Sequence, residues 1–224
     1  MNTPRVAGIT VGTLFLCQML VGIYINFSLL QPLTGEPGFL HTGAAGSVTF
    51  GIAALAALAS ASVNLIVASI SYRIFNATSP VLALLAVAFA AVGLTLTAVE
   101  YTRVLELVSY SQQYQAATPE TKALLETLKP VVAASRNWAH FMAIGTSGFS
   151  LFIFYLMLFR ASVAPRLLTG YGVLAAATQV CAVSQAFIGN SIPLPMLMPL
   201  AIAQLILPLY FIVRGLGARA GVRA

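Results

Sequence analysis

The sequence predicts an all-α fold, a polytopic transmembrane bundle of six helices with both termini cytoplasmic. Three observations predict it. Of 224 residues, 59% are hydrophobic and 7% are charged, whereas a soluble domain needs roughly 25% charged residues to cover its surface. The same figures exclude disorder, which requires low hydrophobicity and high charge. Six apolar segments reach the roughly 20 residues that a helix needs to cross a bilayer core, and proline or glycine clusters separate them.

The segments fall near 6–30, 46–72, 80–103, 131–159, 166–188 and 194–214. The first follows Arg5 and is long, with no small-x-small cleavage site after it, so it reads as a retained helix rather than a signal peptide. Gln31-Pro32 with Gly35, Pro37 and Gly38 ends it. Ala53, Ala57 and Ala61 give the second helix one small-residue face, and Gly8 and Gly12 do the same for the first; such residues mark close helix contacts in lipid. Asn64 and Gln204 read as interhelical hydrogen-bonding groups. Ser79-Pro80 reads as an N-cap with proline first in the third helix. Pro165 separates the fourth and fifth helices. Asn190, Ser191, Pro193 and Pro195 separate the fifth and sixth, which Pro199 and Pro208 should bend. Cys17 and Cys181 lie in apolar segments and read as small buried hydrophobes.

The chain reads as one transmembrane domain over 1–224, with an outer loop and short surface helix at about 104–130. Within that loop, Thr118-Pro119-Glu120 has the order of a helix start, and Leu124, Leu125 and Leu128 give it one apolar face. A plain solvated connector is the other reading of this stretch.

Charge sets the orientation. With the N-terminus inside, Arg5, Arg73, Arg160, Arg166, Arg214, Arg219 and Arg223 are cytoplasmic. Arg103, Lys122, Lys129, Arg136 and all five carboxylates (Glu36, Glu100, Glu106, Glu120, Glu126) fall outside. That is the positive-inside bias of a multi-pass protein in a bacterial inner membrane. The formal charge of +6 needs no nucleic acid to explain it, because no basic stripe alternates with exposed aromatics.

Counting depth at about 1.5 Å per residue places His140 about 30 Å from Arg160, and Glu100 about 30 Å from Pro80. Arg136 lies one turn beyond His140, on the same helix face. Arg103 and Glu106 lie slightly past Glu100, which can pair with Arg103 three residues on. The same count brings Tyr24, Asn26, Ser184 and Gln185 to this level. Polar side chains from several helices therefore gather at one depth, while the inner half is nearly bare of them.

Two readings of that level stand side by side. It is either an outward-opening, polar-mouthed pocket above an apolar floor, or an interfacial ion-pair network that ends and anchors the helices. In the pocket reading Glu100, Glu106 and His140 are the candidate catalytic groups, as acid, base and proton shuttle. Arg103, Arg136, Asn137, Tyr24, Asn26 and Gln185 are the candidate ligand-binding groups. His41 reads as a loop histidine, no metal-ligand spacing occurs, and no lysine lies inside a span to carry a Schiff base. No cofactor is expected. The partners expected are membrane lipids, a lipophilic ligand or other membrane-protein subunits.

Ser71-Tyr72-Arg73-Ile74-Phe75 followed by Ser79-Pro80-Val81-Leu82-Ala83 resembles the end of the second helix in a bacterial six-helix integral membrane family catalogued only as a domain of unknown function. Arg160-Ala161-Ser162, Pro165-Arg166-Leu167-Leu168 and Gly170-Tyr171-Gly172-Val173-Leu174 are similar to its signature between helices four and five. Many members carry an Arg and a Glu within the third helix, where this chain has Phe89-Ala90-Ala91-Val92-Gly93. The resemblance implies the six-helix fold and assigns no activity.

The favoured function is a non-catalytic membrane protein, either an accessory subunit of a larger membrane complex or a binder of a lipophilic small molecule. The alternative is an intramembrane enzyme acting on a lipid or isoprenoid-like substrate at the polar mouth.

Overall fold

A computed structural model describes residues 4–216. Its helices are α1 (Pro4–Tyr24), α2 (Gln31–Thr34), α3 (Phe39–Thr42), α4 (Ser47–Phe75), α5 (Pro80–Ala116), α6 (Pro119–Ala161), α7 (Arg166–Phe187) and α8 (Met198–Arg214). A π-helical turn (Ile25–Leu29) extends α1, and a 3₁₀ turn (Leu194–Met196) precedes α8. No strand occurs among the described residues. Among the described residues six helices are long and apolar enough to cross a membrane, as the sequence led us to expect. Arg219 and Arg223, two of the residues used to assign a cytoplasmic C-terminus, lie outside the described residues.

The stretch 104–130 departs from expectation. It is not a loop carrying a short surface helix: α5 runs on to Ala116, and α6 begins at Pro119 and continues to Ala161. Only Ala117 and Thr118 separate them. The Thr-Pro-Glu helix start is where the sequence placed it, with the Thr121 N–H donating to Thr118 Oγ1 at 3.4 Å, but it opens a helix of 43 residues. Pro130 sits inside α6. A proline there lacks the N–H that would bond the carbonyl four residues back, yet the helix passes through it.

The chain divides into two compact units. One comprises the described parts of Met1–Met19, Ala61–Leu94 and Ile144–Ala224. Its core holds Val11, Val67, Phe75, Met157, Leu158, Leu207 and Phe211. Small residues let its helices approach. A Cβ on Gly12 would lie 2.6 Å from the Pro208 carbonyl oxygen, and one on Gly8 would overlap the backbone of Gly215 and Leu216. The Tyr171 hydroxyl donates to the Pro199 carbonyl at 3.1 Å. Pro199 falls in the first turn of α8, so it starts that helix instead of bending it; Pro208 is the proline inside. Asn64 and Gln204 are half-buried, and Cys17 and Cys181, expected to be buried, are exposed on α1 and α7.

The other unit comprises Leu20–Ser60 and Thr95–Ala143. Its core gathers Ile25, Leu30, Leu33, Phe39, Leu40, Phe50, Ala53, Ala57, Val104, Leu107 and Val108. The buried face of α5 reads Glu100, Val104, Leu107, Ser111 and Tyr114, a spacing of three and four that keeps one side of a helix inward. Ser111, wholly buried, fastens the turn after α3: its Oγ donates to the Leu40 carbonyl and accepts from the Ala44 N–H, both at 2.9 Å. We expect Ser111→Ala to cost about 1–3 kcal/mol, since both backbone groups lose a partner where water is scarce. Unfolding in detergent measures it, and a loss below about 0.5 kcal/mol would be too small for this fastening role.

Candidate functional site

The second of these units carries the polar cluster. Glu100 on α5 and Arg136 on α6 are buried, at 6% and 8% exposure. Burying either charge alone is costly, so each needs a partner. Arg136 Nη2 donates to Glu100 Oε1 at 3.3 Å. The same oxygen lies 2.7 Å from His140 Nδ1. The four-residue spacing of Arg136 and His140 puts both on the α6 face turned to Glu100, as the sequence indicated. One carboxylate oxygen thus serves two cationic or hydrogen-bonding groups, and the Arg–Glu contact is single and long for a charge-assisted bond. Arg136 Nη1 also reaches Asn137 Oδ1, at 3.5 Å.

Arg103 does not join Glu100. Its Nη1 donates to both carboxylate oxygens of Glu106, at 2.9 and 2.7 Å, and both side chains are close to half exposed. Helix geometry explains the outcome: Arg103 and Glu106 share an outward face of α5, whereas Glu100 faces inward. Glu106 is therefore not the second carboxylate of a buried acid–base pair. Tyr24 and Asn26 are exposed, and Asn26 Nδ2 donates to the Gly22 carbonyl at 2.9 Å. Gln185 belongs to the other unit and accepts from Asn190 Nδ2 at 2.9 Å. Depth counting brought these residues to one level, but it carries no information about which way a helix faces. No group of three metal-binding side chains occurs among the described residues.

Beside Arg136 lies a cavity of about 420 Å³. Lys129, Ala133, Arg136 and Asn137 of α6 form one wall, and Leu107 of α5 a second. The turn from Leu33 to Phe39 supplies the rest, including Glu36 and Gly38. The α6 residues follow positions i, i+4, i+7 and i+8, so a single stripe of that helix faces the void. Gly38 has φ +91°, and a Cβ there would lie 3.4 Å from the Lys129 ammonium. Glycine thus allows both the turn and the close approach of the lysine.

Sequence reasoning found Arg136 and Asn137 but missed Lys129 and the 33–39 turn. Lys129 was read as part of an outer loop, and the turn as a helix breaker. The α6 spacing was the signal that would have found Lys129. Glu100 and His140 do not line the cavity; Glu100 holds Arg136, and His140 meets the same carboxylate oxygen. A second polar group lies nearby in the same unit. Tyr114 donates to Glu126 Oε1 at 2.5 Å, Lys122 lies 5.5 Å from the Tyr114 ring centre, and His41 packs edge-on against that ring.

The family model that matches the chain is described as a domain of unknown function (DUF4386), and it covers residues 10–215. No curated protein and no solved structure matches the chain.

Proposed function

The chain belongs to the DUF4386 family, and from that premise we propose that it is a non-catalytic membrane protein that binds a lipophilic small molecule, an amphiphile whose polar end enters the cavity lined by Lys129, Ala133 and Arg136. The cavity itself supports this reading. Leu33, Phe39 and Leu107 offer apolar wall, while Lys129, Arg136 and Asn137 offer polar anchors, the mixture typical of small-molecule sites. By the depth count above, Arg136 and Asn137 lie just past the outer edge of the bilayer core, at the level of its headgroup region. The bias of Lys and Arg supports an outward-facing mouth in a bacterial inner membrane.

Extraction and mass spectrometry of the protein purified in mild detergent test the reading. The wild type should carry about one amphiphile per chain. Ala133→Phe, which fills the cavity, should carry little. An empty wild type, or equal content in the two proteins, would overturn it. An empty chain that co-purifies with another membrane protein would instead favour the accessory-subunit role.

A second reading, an intramembrane enzyme acting on a lipid or isoprenoid-like substrate, has one observation in its favour. The 2.7 Å contact between His140 and Glu100 is the kind of couple that moves protons. It predicts that His140→Ala abolishes turnover of the bound amphiphile while leaving its binding intact, and that Glu100→Gln abolishes turnover as well.

A further inference from the structure

We infer that the cavity selects its ligand by headgroup charge, taking a carboxylate or phosphate monoester on a hydrocarbon chain between Lys129 and Arg136 and rejecting the corresponding cation. This rests on the amphiphile-binding reading above and names the class of molecule it would hold.

The charges on the cavity wall carry the inference. Two cations, Lys129 and Arg136, and one carboxylate, Glu36, line it, so the wall is net positive. Glu36 is exposed on the turn, whereas Lys129 is half-buried and Arg136 is buried. Among the described residues no carboxylate lies within ion-pair distance of Lys129. The half-buried Lys129 ammonium thus stands at the cavity wall without a counter-charge. An anion in the cavity supplies that counter-charge.

Arg136 is committed only in part. A guanidinium has five N–H donors. Its side-chain contacts are one at 3.3 Å to Glu100 and one at 3.5 Å to Asn137, both longer than the 2.7–2.9 Å of a strong charge-assisted bond. Glu100 thus fixes the direction of the side chain while leaving fork donors for a second acceptor. Lys129 and Arg136 lie seven residues apart on one stripe, about 10 Å along the helix axis. Ala133 between them keeps the space open. A planar or tetrahedral oxyanion suits a point charge on one side and a fork on the other.

The experiment uses the full chain in phosphatidylcholine nanodiscs, with Trp138, the single tryptophan, as the fluorescent reporter and protein-free discs as the partition control. Four probes are titrated: dodecyl phosphate, laurate at pH 8, dodecyltrimethylammonium and inorganic phosphate. The two anionic amphiphiles should bind at least tenfold more tightly than the cationic one. Lys129→Met should remove about that factor for the anions and leave the cation unchanged, while Glu36→Gln should tighten the anions severalfold. Equal binding of anionic and cationic amphiphiles, with no effect of Lys129→Met, would overturn the inference and leave the amphiphile reading standing. Binding of no amphiphile would overturn both. Inorganic phosphate binding as tightly as dodecyl phosphate would support selection of an oxyanion and reject the hydrocarbon chain as part of the ligand. Lys129→Met sits on a half-buried position, and its melting temperature reports whether it folds.

Discussion

Replacing Arg136 with Met destabilises the protein by about 3–5 kcal/mol, the range expected when one member of a buried ion pair is removed. The cost comes from what remains. Glu100 is 6% exposed, and without the guanidinium its carboxylate keeps only His140 beside it in a medium that hydrates charge poorly. Glu100→Gln keeps an acceptor for Arg136 but leaves the buried guanidinium without a counter-charge, so it too should be destabilising. Combining the two, Glu100→Gln with Arg136→Met, should recover most of the stability lost in Arg136→Met alone. Urea unfolding in detergent, followed by helical signal, reads all three variants. If Arg136→Met is as stable as wild type, the pair does not lock α5 to α6.

Gly12→Leu gives the second large effect, a loss of about 2–3 kcal/mol from overpacking. The Gly12 Cβ position is already 2.6 Å from the Pro208 carbonyl oxygen and 3.2 Å from Phe211 Cβ, so a side chain must push α1 away from α8. Backbone cannot yield as the far end of a side chain can. Gly22 is the internal control: nothing lies within 4 Å of its Cβ position. Gly22→Ala should be neutral or stabilising by up to about 1 kcal/mol, the helix-propensity gain of alanine over glycine. Gly12→Ala should have the opposite sign. Thermal unfolding of these variants decides it, and equal behaviour at the two positions would mean that α1 and α8 do not depend on this close approach.

Much of the fold was legible because bilayer thickness and proline placement constrain it so tightly. Pro80, Pro165 and the 190–195 cluster fixed three helix boundaries. The long polar extensions of α5 and α6 were not legible, for a physical reason. Charged residues at a membrane edge look like a loop in sequence, yet Arg103 and Glu106 at i, i+3 support a helix as readily. The fourth segment was placed from residue 131, just past Pro130, but α6 continues through that proline.

The candidate site divides along the same line. Glu100, Arg136 and His140 were legible from depth and from the four-residue spacing within α6. Their partnering was not: Arg103 was as close to Glu100 in sequence as to Glu106, and only the facing of α5 settles which it meets. Lys129 went unrecognised as a cavity residue because it was counted as loop. Tyr24, Asn26 and Gln185 share a depth with the cluster, but depth is one coordinate of three.

Photolabelling tests the amphiphile site most directly. The full chain in nanodiscs would be irradiated with a diazirine-bearing fatty acid, digested and sequenced by mass spectrometry, with and without excess dodecyl phosphate. The expected result is a set of adducts confined to residues 33–39 and 129–137 that excess dodecyl phosphate suppresses. Adducts spread evenly over the exposed faces of α1, α4 and α8, unchanged by the competitor, would contradict it.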